Sequence, residues 1–168
     1  LVSNNNEICF HEDTLIDTDQ GQIKIKNLKS FHTINGNEVL YLIKSENQYE
    51  ELVLIKKNAF GFNSPNKDMI LTENHLISVN NMVKPVHKFL NNESVIKIKN
   101  HNKSKVYNII LLNSNFINVS NLKVNVIGIS KKSSKSLDNL REQGLESLDL
   151  KFSKNTIINL KLCNFKNF

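Results

Sequence analysis

Three short segments of this 168-residue chain carry the side chains whose types and spacing could do chemistry. The first runs from Cys9 through Phe10, Thr14, Ile16 and Thr18 to Gly21. The second is Asp68-Met69-Ile70-Leu71-Thr72-Glu73-Asn74-His75-Leu76-Ile77. The third opens on Val106-Tyr107-Asn108-Ile109 and continues to Asn121-Leu122-Lys123-Val124. A cysteine on a domain's first strand, with a peptide upstream, can attack the carbonyl that precedes it. Here that step is an N-to-S acyl shift across Ile8–Cys9, with thiolate as the nucleophile. A peptide is normally more stable than a thioester, so the site has to drive the exchange. His75 can protonate the departing nitrogen, a role worth about 10²–10⁴-fold. The Thr72 hydroxyl can hydrogen-bond the scissile peptide and hold it polarised. The three-residue step from Thr72 to His75 can set both side chains on one side of a turn. Other readings of the same residues stand beside these. A cysteine next to phenylalanine is commonly a small buried hydrophobe, a histidine in a β-turn a surface or capping residue, and a threonine there a partner for a turn amide.

Taken together, these blocks resemble the Hint superfamily, the self-processing domains of hedgehog proteins, inteins and bacterial intein-like proteins. Cys9, Phe10, Thr14, Ile16, Thr18 and Gly21 match the family's opening block. Thr72 and His75 match its Thr-x-x-His block, and Val83-Lys84-Pro85-Val86 with Phe89-Leu90 matches the Pro and apolar residues that follow in bacterial members. Val106, Tyr107 and Asn108 match the third block in outline. The resemblance covers residues 8–127 and implies a horseshoe-like, pseudo-symmetric β fold. It implies catalytic roles for Cys9, Thr72, His75 and Asn108, with the chain's own upstream polypeptide as substrate in cis and no cofactor or metal. Two departures narrow the activity. Asn108 stands where many inteins carry Asp, and it can only hydrogen-bond where a carboxylate could also adjust the thiol's protonation. Ser114 or Asn115 stands where many relatives carry His. Splicing further needs a terminal Asn, usually with His before it and Cys, Ser or Thr after it. Asn125 lies between Val124 and Val126, and Asn155-Thr156 is preceded by Lys154. The expectation is N-terminal cleavage or acyl transfer to water or an external nucleophile, without splicing. The alternative is a Hint-fold structural or interaction module that has lost the reaction.

The elements that must position these residues read as strands. Thr14–Thr18 and Gln22–Lys26 flank Asp19-Gln20-Gly21, a hairpin signal, and the second segment alternates polar and apolar. Asn35-Gly36 is the strongest short turn signal. Apolar segments follow at 39–43, 52–55, 69–72, 76–79, 95–98, 106–112, 116–119 and 122–127. Many short strands at this spacing predict an all-β domain. The expected organisation is an upstream segment over 1–8, a Hint domain over 9–127 and a C-terminal extension over 128–168. In that extension Ser130–Ser136 reads as a polar linker. Leu137, Leu140, Leu145 and Leu148 recur near helical spacing, and Thr156–Leu162 reads as one more strand.

Composition limits the function classes. The chain carries 22 basic and 16 acidic side chains, a net charge of +6. Arg141 is the sole arginine, which argues against sequence-reading DNA contacts, since these favour the arginine fork. Aromatic residues make up 7% and are not clustered, so a stacking platform for single-stranded nucleic acid is absent and no nucleic-acid partner is expected. The lysine-rich run Lys97–Lys105 reads as an exposed hairpin loop. No apolar run approaches the roughly 18 residues of a membrane span, and the first residues lack the blocks of a signal peptide. Cys9 and Cys163 cannot build a disulfide framework or a multi-cysteine zinc site. Cys163 reads as buried or incidental, and His11, His32, His87 and His101 as surface residues. About one residue in six is Asn, a bias that together with Lys and Ile suggests an AT-rich source genome such as that of a protist, large virus or bacterium.

Overall fold

The computed structural model describes residues 8–135, 147–153 and 156–162. The protein is all-β. Its strands in chain order are β1 (Phe10–His11), β2 (Leu15–Thr18), β3 (Gly21–Lys24), β4 (Thr33–Ile34), β5 (Asn37–Ser45) and β6 (Glu51–Ile55). They continue with β7 (Met69–Leu71), β8 (Leu76–Val79), β9 (Met82–Pro85), β10 (Val95–Lys99) and β11 (Val106–Leu112). The series closes with β12 (Phe116–Val119), β13 (Leu122–Asn125), β14 (Ile127–Ile129), β15 (Ser147–Ser153) and β16 (Thr156–Leu162). The largest sheet runs β10-β6-β7-β1-β11-β5-β16-β15, with β14 added to β11 and β4 to β5. A second sheet runs β12-β13-β8-β9, and β2-β3 is a separate hairpin.

Local chemistry explains the tight connections. Two-residue hairpin turns that match the strand twist need positive φ at both central positions, which Gly and Asn tolerate best. Asn35 and Gly36 join β4 to β5 at φ 50° and 76°. Asn80-Asn81 joins β8 to β9 at 50° and 63°, and Ser120-Asn121 joins β12 to β13 at 49° and 63°. The predicted Asp19-Gln20-Gly21 hairpin is present as well, closing on Thr18 opposite Gly21. Its Asp19 carboxylate accepts from the Thr33 hydroxyl and from the amides of Asn35 and Gly36, tying the β2–β3 turn to the β4–β5 turn.

The core lies around β5 and β11. Val39–Ile43 and Ile109–Leu111 are buried without alternation. That pattern belongs to strands covered on both faces, and each such side chain contributes about 1.5–3 kcal/mol on burial. Strand β11 pairs β5 along one edge. Its other edge is shared: β1 pairs antiparallel at Val106–Tyr107, and β14 pairs in parallel at Ile110–Leu112. Asn108 and Ile109 face the gap where one neighbour stops and the other has not begun.

Some expectations change. The run 97–105 is not a hairpin: β10 pairs β6, whereas β11 pairs β1, β5 and β14. Its residues are mostly exposed, and Asn100 knots the connection by bonding the carbonyls of Tyr49 and Ser104. His32 is buried at 5% exposure, its Nδ1 accepting from the Lys29 amide, so it is not a surface residue. Residues 131–135, expected as linker, are helical, with Ser130 accepting from the Ser133 and Ser134 amides. Leu148 belongs to β15 rather than to a helix. Thr156–Leu162 is strand β16, as expected, and pairs with β15 and β5. Leu137, Leu140, Leu145 and Cys163 lie outside the described residues.

Candidate functional site

Strand β1 is two residues long and is wedged between β7 and β11, with Phe10 opposite both Leu71 and Tyr107. One step upstream, Cys9 therefore lies between Thr72 and Asn108. The segment 72–75 leaves β7 in the large sheet and enters β8 in the second sheet. It turns tightly, the His75 amide donating to the Thr72 carbonyl at 3.1 Å. Both side chains thus sit where the two sheets meet, beside the first strand.

Cys9, Thr72, His75 and Asn108 are all fully buried. The structure brings Thr72, His75 and Asn108 onto one dipeptide, Ile8–Cys9. The Cys9 amide donates to Thr72 Oγ1 at 2.9 Å, and the Thr72 amide donates to the Cys9 carbonyl at 3.0 Å. Thr72 Oγ1 also donates to the Cys9 carbonyl at 3.4 Å. Asn108 Nδ2 donates to the Ile8 carbonyl, the oxygen that would take negative charge on thiol attack. Its Oδ1 accepts from the Ile109 amide at 2.7 Å, which fixes the carboxamide's orientation. Asn108 thereby occupies the gap between β1 and β14 with its side chain, where a passing strand would otherwise have supplied backbone partners.

His75 is held at both ring nitrogens. Nδ1 lies 3.0 Å from the Cys9 carbonyl oxygen, and Nε2 lies 2.6 Å from the Asn125 carbonyl oxygen. The Phe10 ring stands edge-on to it at 4.5 Å. Pairing explains the second contact. Ile77 lies opposite Val124, so the chain leaving β13 at Asn125 passes the turn that carries His75. Carbonyl oxygens only accept, and neutral imidazole has one N–H. A proton on Nε2 serves the shorter contact and leaves the Nδ1 lone pair against the Cys9 oxygen; only the imidazolium satisfies both. Burial pushes the ring's pKa below its ordinary value, while the Cys9 and Asn125 carbonyls push it up; burial prevails.

The arrangement suits acyl transfer at Ile8. An Asn108 N–H is aimed at the Ile8 carbonyl oxygen, a hydroxyl is on the Cys9 nitrogen, and a titratable ring is on the Cys9 carbonyl. His75 meets Cys9 at its carbonyl oxygen, and the group bonded to the Cys9 nitrogen is Thr72. The sequence reading did not identify the Asn125 carbonyl as a partner of His75. Asn125 drew notice there only as a candidate terminal asparagine, and a backbone acceptor leaves no mark in residue type. His11, His87 and His101 lie outside the site. The Asp13 amide donates to the ring of His11, and the His87 amide donates to the Glu73 carbonyl.

No protein-family model matches the chain, and no curated protein matches it. Among solved structures it is similar to the crystal structure of gp41-1 intein, at 16% identity and TM-score 0.46, over 71% of this chain and 98% of that one. A triply substituted form of the same intein is similar at 16% identity and TM-score 0.47, over 71% of this chain and 99% of that one.

Proposed function

We propose that this chain is a cysteine-dependent self-processing domain of Hint type, acting in cis on its own upstream polypeptide. The observation that supports it best is the convergence of Thr72, Asn108 and His75 on the peptide unit around Ile8–Cys9. The Cys9 thiolate attacks the Ile8 carbonyl carbon. Negative charge develops on the Ile8 oxygen, toward which Asn108 Nδ2 is already aimed, so little reorganisation is needed. The C–N bond breaks, and the nitrogen takes up one proton, balancing the one the Cys9 thiol gave up, to become the free α-amino group of Cys9. Thr72 Oγ1 lies on that nitrogen, and His75 is the titratable group on the carbonyl oxygen of the same residue. The products of this step are a thioester at Ile8 and a new amine. Water or an external nucleophile then takes the acyl group, freeing the upstream segment and restoring the thiol. Without an Asn125 context suited to excision, the reaction ends in N-terminal cleavage or transfer.

The full burial of Cys9 and the uncharged Asn108 favour a second reading, a Hint-type module that no longer reacts. Hydroxylamine separates the two. Added to a precursor with a longer upstream segment, it should release that segment as a hydroxamate ending at Ile8. A precursor whose mass stays intact through prolonged incubation would support the unreactive module.

A further inference from the structure

His75 has a second contact that reaches outside the Ile8–Cys9 peptide, and that contact leads away through a defined set of bonds. Its Nε2 partner, the Asn125 carbonyl, belongs to a residue that is itself pinned. Asn125 Nδ2 donates to the Asn115 carbonyl at 2.9 Å, and the Val126 amide donates to the same oxygen at 2.8 Å. One carbonyl thus holds both the Asn125 carboxamide and the peptide unit that carries the Asn125 oxygen. The turn that offers this carbonyl is in turn pressed by β14. A Cβ at Gly128 would meet Asn115 Oδ1 at 2.4 Å, the Ser114 oxygen at 2.5 Å and the Ser114 carbonyl carbon at 2.6 Å. Two of those atoms are backbone, so the approach cannot be relieved by turning a side chain. Gly128 is needed here for closeness, since its conformation is not a left-handed one.

We infer that Asn125 and Gly128 are positioning residues for the His75 imidazole, acting through the Asn115 carbonyl. The inference rests on the acyl-shift reading for its catalytic consequence, but its geometry does not. Gly128 lets β14 pass close to the 113–116 turn. That turn holds the Asn125 carboxamide and the next amide, and the Asn125 carbonyl so oriented fixes ring nitrogen Nε2. With Nε2 committed, Nδ1 is the nitrogen presented to Cys9. The uncharged Phe10 ring also reaches the imidazole. Burial lowers the imidazole's pKa, and the Cys9 and Asn125 carbonyls oppose it. A loss of alignment at the ring of about 1 Å can cost on the order of 10²-fold in rate.

The test is the proton and nitrogen resonances of the His75 ring in the full chain, compared between wild type, Asn125→Ala and Gly128→Ala. Both variants should move the Nε2-bound proton and the ring nitrogen shifts, and both should slow release of an upstream segment by roughly tenfold or more. Asn125→Ala adds no atoms, so it decides the matter if Gly128→Ala does not fold. Unmoved His75 resonances in Asn125→Ala would overturn the inference, and so would slowed release with the ring signals unchanged. If the wild type releases nothing, the acyl-shift reading fails by itself, and the ring resonances still decide whether these residues position the imidazole.

Discussion

Thr72 Oγ1 accepts from the buried Cys9 amide, so the Thr72 hydroxyl is the group whose loss the scissile peptide should feel first. Thr72→Val keeps the shape but removes the hydroxyl that accepts from the buried Cys9 amide, at a cost of about 1–3 kcal/mol. The denaturation midpoint should fall, release of the upstream segment should slow, and Thr72→Ser should recover much of both; an unchanged midpoint would contradict the bond's role. Asn108→Ala removes the donor to the Ile8 carbonyl and should slow release by roughly 10²-fold, as loss of one oxyanion donor does elsewhere. It also strips the Ile109 amide of its acceptor, so the rate should be read on the folded fraction. Cys9, Thr72 and His75 stood out through the three-block resemblance together with the chemistry of their side chains, since each alone also has an ordinary structural reading, and the structure sets them side by side. Asn108 was legible only through the resemblance, since an asparagine in a chain this rich in asparagine carries little signal of its own.

At the scale of elements, the short turns hold the strands in register. Asp19 joins two of these turns, and bonds from the Thr33 hydroxyl and the Gly36 and Asn35 amides hold its pKa below the ordinary value of 3.8. A carboxylate with a depressed folded pKa gives stability that is present above its unfolded pKa and lost as pH falls through the folded one. Asp19→Asn should therefore lower the thermal midpoint at pH 7, and the difference from wild type should shrink toward pH 3; an equal difference at both would contradict it. The Asn35-Gly36 turn was readable because that pair is a strong signal. Asn80-Asn81 and Ser120-Asn121 make turns of the same kind and passed unread, because the compositional excess of Asn hides the ones placed for positive φ. Strand existence was legible from apolar segments, but partner choice was not. The segments at 95–99 and 106–112 are neighbours in sequence and still pair elsewhere, because pairing is settled by burial across the molecule.

Over the whole molecule, the site sits where the 72–75 turn passes from one sheet to the other, so folding both sheets is what assembles it. Two buried histidines report on that assembly. Burial lowers the pKa of His75, opposed by the Cys9 and Asn125 carbonyls; burial, then the Lys29 charge, lowers that of His32. Both are lowered from 6.5, so the unfolded chain takes up protons first as pH falls. Stability should decline as pH drops below about 6.5 toward the lowered folded values. A urea midpoint at pH 5.5 equal to or above that at pH 7.5 would contradict burial of neutral rings. The central claim concerns a covalent bond, and intact mass reads it most directly. A precursor with a longer upstream segment, incubated with dithiothreitol, should split into a fragment ending at Ile8 and one beginning at Cys9, while Cys9→Ala stays whole. A wild-type precursor that keeps its full mass, or a Cys9→Ala precursor that splits at the same bond, would contradict the account.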